Sequence, residues 1–314
     1  MGYNEAGAEI ESETDEDFCV ELAESLIAAA HDGQTGRTAV DLPADADPVE
    51  AALVLPRMFA ETRGSVRLDE IVAVVTAPDV RALLFRDGET GSGSSVGLSE
   101  QLALQLEFAT AIVLVDAHLV GEAGLGEIYG AVNKLNPCAR QLVLTSDGRP
   151  RRLGEVAPRA RAETLGRACG WMLELSGAAL PTTVNGIGSV VYRDPRPFHP
   201  LRLAAAVESW LEPADAGLIV RSRGLVKLAT RADRIGSWST AGEVLAVDPT
   251  AMMSWHADTP AGQELVFFGR DLNRDYIVRV LDSCVLSDDE LVAGPMEWET
   301  YYDPFPAWDL DHGH

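Results

Sequence analysis

The sequence predicts an α/β protein in two parts: a doubly wound parallel sheet, then a smaller α+β domain. Three observations carry this. Residues 71–76, 111–115 and 141–145 (IVAVVT, AIVLV, QLVLT) are short apolar runs rich in β-branched side chains, as strands buried on both faces would be. Helical patterns separate them, and such alternation argues for helices on both faces of one sheet. After about Pro181 the rhythm changes to β-type runs (SVVY, GLIVR, GLVKLAT, EVLAV, ELVFFG) with two helical patterns, as an antiparallel α+β unit requires. A length of 314 residues allows one or two such domains.

The elements follow in order. Residues 1–15 are acidic and are expected to be a disordered tail. A first domain is expected over 16–147. It opens with a helix over 17–31, whose segment CVELAESLIAAA sets apolar side chains on one face. Residues 38–42 (TAVDL) predict a short strand. Pro48 suits a first helical position and opens a helix to about residue 62. Residues 86–97 (RDGETGSGSSVG) read as a loop, 98–109 and 121–135 as helices, the second closed by Asn136-Pro137. Residues 148–182 read as a basic linker and helix, with Arg149, Arg151, Arg152, Arg159, Arg161 and Arg167 interrupted by Pro150 and Pro158. The second domain is expected over 183–296, with helices at 200–211 and 274–283, and 297–314 forms an acidic, aromatic tail.

Charge excludes some functions. With 25 Lys+Arg against 49 Asp+Glu the net charge is −24, which repels DNA and anionic membrane on average. No apolar run reaches the ~18 residues of a spanning helix. The acidic start, without Lys or Arg before Arg37, is the opposite of a secretory signal, so a cytoplasmic location is expected. The four cysteines, Cys19, Cys138, Cys169 and Cys284, form no C-x-x-C pair and are expected to be reduced and mostly buried.

Three ordered motifs of the second domain resemble the CobW family of P-loop GTPases: VVYRDPRPFHPLRL, with Arg196-Pro197-Phe198-His199-Pro200 at its centre; RSRGLVKLATRADRIGSWSTAGE; and QELVFFGRDLNRDYIVRVLDSCVLSDDE. In the first domain, EFATAIVLVDAHLV, LNPCA and LDEIVAVVTAPDV resemble the same family less closely. The resemblance implies a P-loop-type doubly wound sheet, here degenerate and lacking its first strands, joined to a CobW C-terminal-like α+β domain. It also implies metal homeostasis. The tail, with D-P-F-x-x-W at Asp303 to Trp308, is similar to an actinobacterial subset of that family linked to ribosome hibernation under zinc starvation.

The family's chemistry is missing wherever its residues can be checked. A P-loop needs G-x-x-x-x-G-K-[ST], whose glycine backbone wraps the phosphates while Lys supplies charge and the hydroxyl holds Mg²⁺. No such string occurs here, and the only lysines, Lys134 and Lys227, follow no Gly-rich loop. The place of the guanine-reading N-K-x-D reads Val115-Asp116-Ala117-His118. The place of the C-x-C-C metal motif keeps one thiolate, Cys19, ahead of Val20, Glu21 and Leu22. A lone thiolate makes no closed zinc site. Since just 18 residues precede Cys19, the P-loop has no room, either because it is lost or because the start lies further upstream.

The expectation is therefore a non-catalytic CobW-like interaction protein in metal homeostasis, most naturally the zinc-stress response, with the ribosome as a place of action. It would take no nucleotide, and a protein or ribosomal partner. The alternative is a zinc metallochaperone GTPase whose P-loop segment lies outside this chain. No cofactor is expected beyond weakly held zinc, for which Cys19 and the tail residues Asp309, Asp311, His312 and His314 are the candidates. His199 reads as a helix-entry residue packing on Phe198. Asp116 and His118 read as relics of a base-reading loop. Arg221, Arg223, Lys227 and Arg231, with Arg234 beside them, are expected to form a basic partner-binding strip, because alternation along a strand sets Arg221 and Arg223 on one face.

Overall fold

The computed structural model describes residues 2–3, 9–10, 15–43, 46–86, 96–154, 169–210, 213–242, 244–257 and 259–308. A two-residue pair, β1 (Gly2–Tyr3) and β2 (Glu9–Ile10), precedes helix α1 (Asp15–His31). Helix α2 (Pro48–Ala60) begins where predicted: the Asp47 side chain accepts from the Val49 N–H at 2.7 Å, and Pro48 occupies the first turn. Phe18, Cys19, Leu22 and Ala23 of α1 bury against Ala51, Val54, Leu55 and Phe59 of α2. Of the strand expected over 38–42, only Asp41 forms a β-bridge. That stretch is mostly exposed coil, with Val40 and Leu42 resting on the α1–α2 core.

The first sheet has four strands in the order β3 (Val72–Thr76), β4 (Ala111–Val115), β5 (Arg140–Leu144), β6 (Pro150–Arg152). The first three are parallel, and β6 turns back antiparallel on β5. Part of the segment read as a linker is thus an edge strand: Asp147-Gly148 makes a tight turn, with Gly148 at φ 76°. Helices α3 (Ala77–Leu84), α4 (Val96–Phe108) and α5 (Gly121–Leu135) bury Val80, Leu84, Leu102, Leu106, Ile128 and Val132 on the sheet face that carries Val75, Ile112 and Leu114. Among the described residues no helix covers the other face, where Val72, Val74 and Leu144 are 49%, 65% and 39% exposed. The described helices α3, α4 and α5 lie on one of its faces.

After helix α6 (Gly170–Leu175) comes a six-stranded antiparallel sheet. Its order is β11 (Val244–Met253), β10 (Arg234–Ala241), β9 (Leu218–Val226), β12 (Gln263–Arg270), β8 (Ile187–Asp194), β7 (Thr183–Val184). The runs GLIVR and GLVKLAT are largely one strand, β9. Strand β10 has no counterpart among the expected runs, because RIGSWSTA is mostly small and polar; Ile235 and Trp238, both fully buried, anchor it, and the Trp238 indole N–H donates to Ser222 Oγ at 2.8 Å. Helices α7 (Pro200–Trp210) and α8 (Pro213–Ala216) cross one face together with α9 (Arg274–Cys284), and α10 (Asp288–Ala293) and α11 (Pro295–Trp298) close the chain. The opposite face, through Ile187, Val220, Val266 and Phe268, shares a core with α4 and α5 of the first half.

Candidate functional site

The cluster of charges with the deepest burial lies where α4 meets β9 and β10. Arg221 is fully buried. Its guanidinium donates to Glu107 at 2.8 and 3.2 Å, to Glu100 at 3.0 Å and through a second, closer contact, to Ser239 Oγ at 3.0 Å and to the Thr240 carbonyl at 3.3 Å. Glu107 is 1% exposed. Burial pushes the Glu100 carboxyl up, but hydrogen bonds from Arg221 and Ser239 and the nearby Arg223 outweigh it and hold the group below the usual glutamate range. Arg223 lies 3.6 Å from Glu100 and 3.7 Å from Glu107, with its guanidinium 5.9 Å from the centre of the Trp171 ring. Alternation along β9 does set Arg221 and Arg223 on one face, but that face is an interior one. Arg221 belongs to an interdomain ion cluster, and a basic strip open to a partner cannot include it.

The other members of the expected strip are also engaged or partly covered. Arg231 donates to Asp303 at 2.9 Å and to the Phe305 carbonyl at 3.0 Å, and sits 4.5 Å from the Trp308 ring centre. The D-P-F-x-x-W tail therefore folds back over β10 and β11, where the Trp308 N–H donates to the Val247 carbonyl at 2.8 Å. Arg234 donates to the Thr250 carbonyl. Lys227 is half-buried, and that burial depresses its ammonium pKa.

At the C-terminal end of β4, Val115 leads into exposed Asp116, buried Ala117 and exposed His118. Asp116 takes a left-handed conformation at φ 53° and its carboxylate makes no capping bond. No hydrogen bond joins Asp116 to His118 among the described residues, so the structure does not assemble them into an acid–base pair. Cys19 is 3% exposed within α1. Among the described residues no three His, Cys, Asp or Glu side chains gather as a metal site. Asp309, Asp311, His312 and His314 lie outside the described residues, as do Arg159, Arg161 and Arg167 and most of the Gly/Ser-rich loop. His199 stacks on Tyr301 at 4.8 Å rather than on Phe198, which stacks on Tyr192. Burial and the neighbouring Arg202 lower the His199 imidazole pKa.

Sequence reasoning missed two polar ties between the halves. Arg81 and Arg270 converge on Glu127, which joins α3 and α5 to β12. Lys134 is 2% exposed and donates to Glu174 at 3.0 Å, Pro181 O at 2.6 Å and Ser189 Oγ at 3.2 Å. A lysine inside a helix with apolar periodicity was the one available signal for the second tie.

Fold and site define a two-part α/β protein: a mainly parallel sheet joined to an antiparallel sheet through buried charges. Residues 187–285 match the family described as the cobalamin synthesis protein cobW C-terminal domain. It is 29% identical over 270 residues to the zinc-regulated GTPase metalloprotein activator 1 of Dictyostelium discoideum, covering 76% of this chain and 56% of that protein. It is 30% identical over 285 residues to a zinc chaperone of Mycobacterium tuberculosis, covering 80% of this chain and 65% of that protein. The chain thus spans somewhat over half the length of these relatives. Zn(II)-bound YjiA GTPase from E. coli aligns over 88% of this chain and 79% of its own at 17% identity and a TM-score of 0.33. No described helix is long and apolar enough to cross a membrane.

Proposed function

We propose that this chain is a non-catalytic CobW-type interaction protein of zinc homeostasis. The observation that carries the reading is the loop after β4. Val115-Asp116-Ala117-His118 stands where a guanine reader would present an amide and a carboxylate to the base. The Asp116 backbone is left-handed and its carboxylate is exposed. The chain's sequence also holds no G-x-x-x-x-G-K-[ST] to bind the phosphates. The zinc connection rests on the relatives' names. A zinc-stress role at the ribosome belongs to the same proposal and rests only on the resemblance of the tail.

A second reading is favoured by those names: a zinc metallochaperone GTPase whose phosphate-binding segment lies outside this chain. Intact mass of the protein from its native cells separates the two. A mass equal to this chain, with no GTP binding, supports the first reading; a longer product with a P-loop supports the second. Zinc binding is tested by dialysis against Zn²⁺. Weak binding that disappears on deleting residues 309–314 is expected, and tight binding that survives this deletion but is lost in Cys19→Ser would contradict it.

A further inference from the structure

Residues 302–308 lie on the second sheet without joining it. They form no helix or strand, and among the described residues none of their backbone groups bonds to another backbone group. Pro304 and Pro306 have no N–H to offer a strand. Tyr302, Pro304, Pro306 and Ala307 are exposed. Just upstream the chain is fixed, because Trp298 is buried and Tyr301 stacks on His199. Beyond Tyr301 the hold comes from Asp303, Phe305 and Trp308.

Two of these side chains enter shaped places. The Asp303 carboxylate accepts from the Thr230 hydroxyl at 2.6 Å and from the Arg231 guanidinium at 2.9 Å, both in the turn Ala229–Arg231 between β9 and β10. The Trp308 ring lies against Gly236 of β10, where a Cβ would come within 2.9 Å of it, and Val226 of β9 closes the same spot from beside. The Val247 carbonyl of β11 accepts the indole N–H at 2.8 Å, and the Arg231 guanidinium stands 4.5 Å from the ring centre. A glycine inside a strand weakens the strand and marks a close approach, here that of one ring. Arg231 holds both determinants, the carboxylate and the indole, and also donates to the Phe305 carbonyl at 3.0 Å.

The body beneath has a core of its own. Trp238, Phe267 and Leu281 are fully buried in it, whereas Phe305 and Trp308 only rest against it, partly buried. A segment held by a few side chains over a core it does not belong to opens at lower cost than the sheet unfolds.

We infer that the turn Ala229–Arg231, with β10 and β11, is a recognition site for an acidic peptide whose carboxylate is followed five residues on by an indole, and that this chain's own residues 302–308 fill it as a latch that opens and closes without unfolding. Tethered beside the site, the tail acts at an effective concentration on the order of millimolar and keeps other peptides out. The inference goes beyond the zinc reading and holds or fails on peptide binding alone, with or without zinc.

The test uses the full chain carrying Asp303→Ala and Trp308→Ala, which empties the site, and a fluorescently labelled synthetic peptide of residues 299–308. The emptied chain should unfold at close to the parent's thermal midpoint and bind the peptide saturably by anisotropy. The parent should bind it at least tenfold more weakly, because its own tail competes. Peptides with Asp303→Ala or with Trp308→Ala should each lose at least tenfold, as should the emptied chain with Arg231→Ala added, and high salt should weaken the intact pair. Hydrogen exchange in the parent reads the latch without any substitution. The Trp308 indole N–H should exchange through an opening that low urea leaves unchanged, while that of Trp238, held on Ser222 Oγ, should exchange only as the whole chain unfolds. Gly236→Ala, which crowds the ring's place, should speed the Trp308 exchange at least tenfold. An emptied chain that does not fold would make the tail part of the body and overturn the inference. So would no peptide binding, equal binding by the parent or by the altered peptides, an unchanged Trp308 exchange rate in Gly236→Ala, or two indoles that exchange together.

Discussion

At the scale of single residues, Arg221 decides most. Its charge was readable in the sequence and its alternation with Arg223 was correct, but the face was not. Period-two alternation says which side chains share a side of a strand and never which side faces water. The missing information was Glu107. It lies 114 residues away in sequence, on α4, and nothing local marks it as a partner. Removing one member of such a cluster leaves the others charged and buried, a loss of about 3–5 kcal/mol. Arg221→Glu should therefore lower the thermal midpoint steeply, where an exposed strip would have tolerated it. Replacing Arg221 and Glu107 together with methionine should cost less than Arg221→Met alone, and a double-mutant cycle by denaturant unfolding reads the difference. Methionines that behave additively would show the pair to be uncoupled.

Titration at this scale has a definite sign. The hydrogen bonds from Arg202 hold the Glu290 carboxyl down to about 2, from an ordinary value of 4.5. Glu100 and Glu127 also sit below their ordinary values, since Arg221 and Ser239, and Arg270 and Arg81, outweigh burial. A carboxylate depressed in the folded state stabilises it above the unfolded pKa, and that stabilisation is lost as pH falls toward the folded one. Stability should be flat in these groups above about pH 5 and decline from about 4.5 toward 2. Urea midpoints measured across this range should follow that slope, and the Glu290→Gln variant should show a shallower one.

At the scale of elements, periodicity was informative where each element is buried on one clear side. Helices α2, α4, α5, α7 and α9 and strands β3, β4 and β5 fall close to where apolar spacing puts them. Strand β10 was invisible, because its small polar residues are buried by its neighbours β9 and β11 rather than by their own hydrophobicity. The residues 38–42 misled in the other direction: three apolar side chains in five suit a strand, yet Asp41 alone makes a β-bridge and the stretch joins none of the described sheets. Two glycines mark contacts that periodicity does not reveal. A Cβ at Gly130 would lie 2.2 Å from the Val184 carbonyl oxygen, and one at Gly170 would lie 1.8 Å from that of Lys134. Gly130→Ala should push α5 off β7 and cost more than the ordinary gain of about 1 kcal/mol from alanine in a helix. A thermal midpoint above the parent's would show that the backbone yields there freely.

At the scale of the whole molecule, the two halves are joined by a common hydrophobic core as well as by charge. Ile187, Val220, Val266 and Phe268 of the second sheet pack with Ala103, Leu106, Ile128 and Ala131 of the first half. Cut away from the first half, the second domain would expose this face. A fragment of residues 183–308 should bind hydrophobic dye and lose cooperative unfolding, while the full chain should unfold in one transition that coincides by fluorescence and circular dichroism. Two separated transitions in the full chain would mean that the shared core does not couple the halves.

The central claim is that a CobW-type chain with Val115-Asp116-Ala117-His118 after β4 and no phosphate-binding string has no use for nucleotide. Isothermal calorimetry of the full chain at about 100 μM with GTP and Mg²⁺ tests it most directly. The account predicts a flat titration, unchanged by Zn²⁺, whereas a saturating isotherm with a micromolar dissociation constant would contradict it.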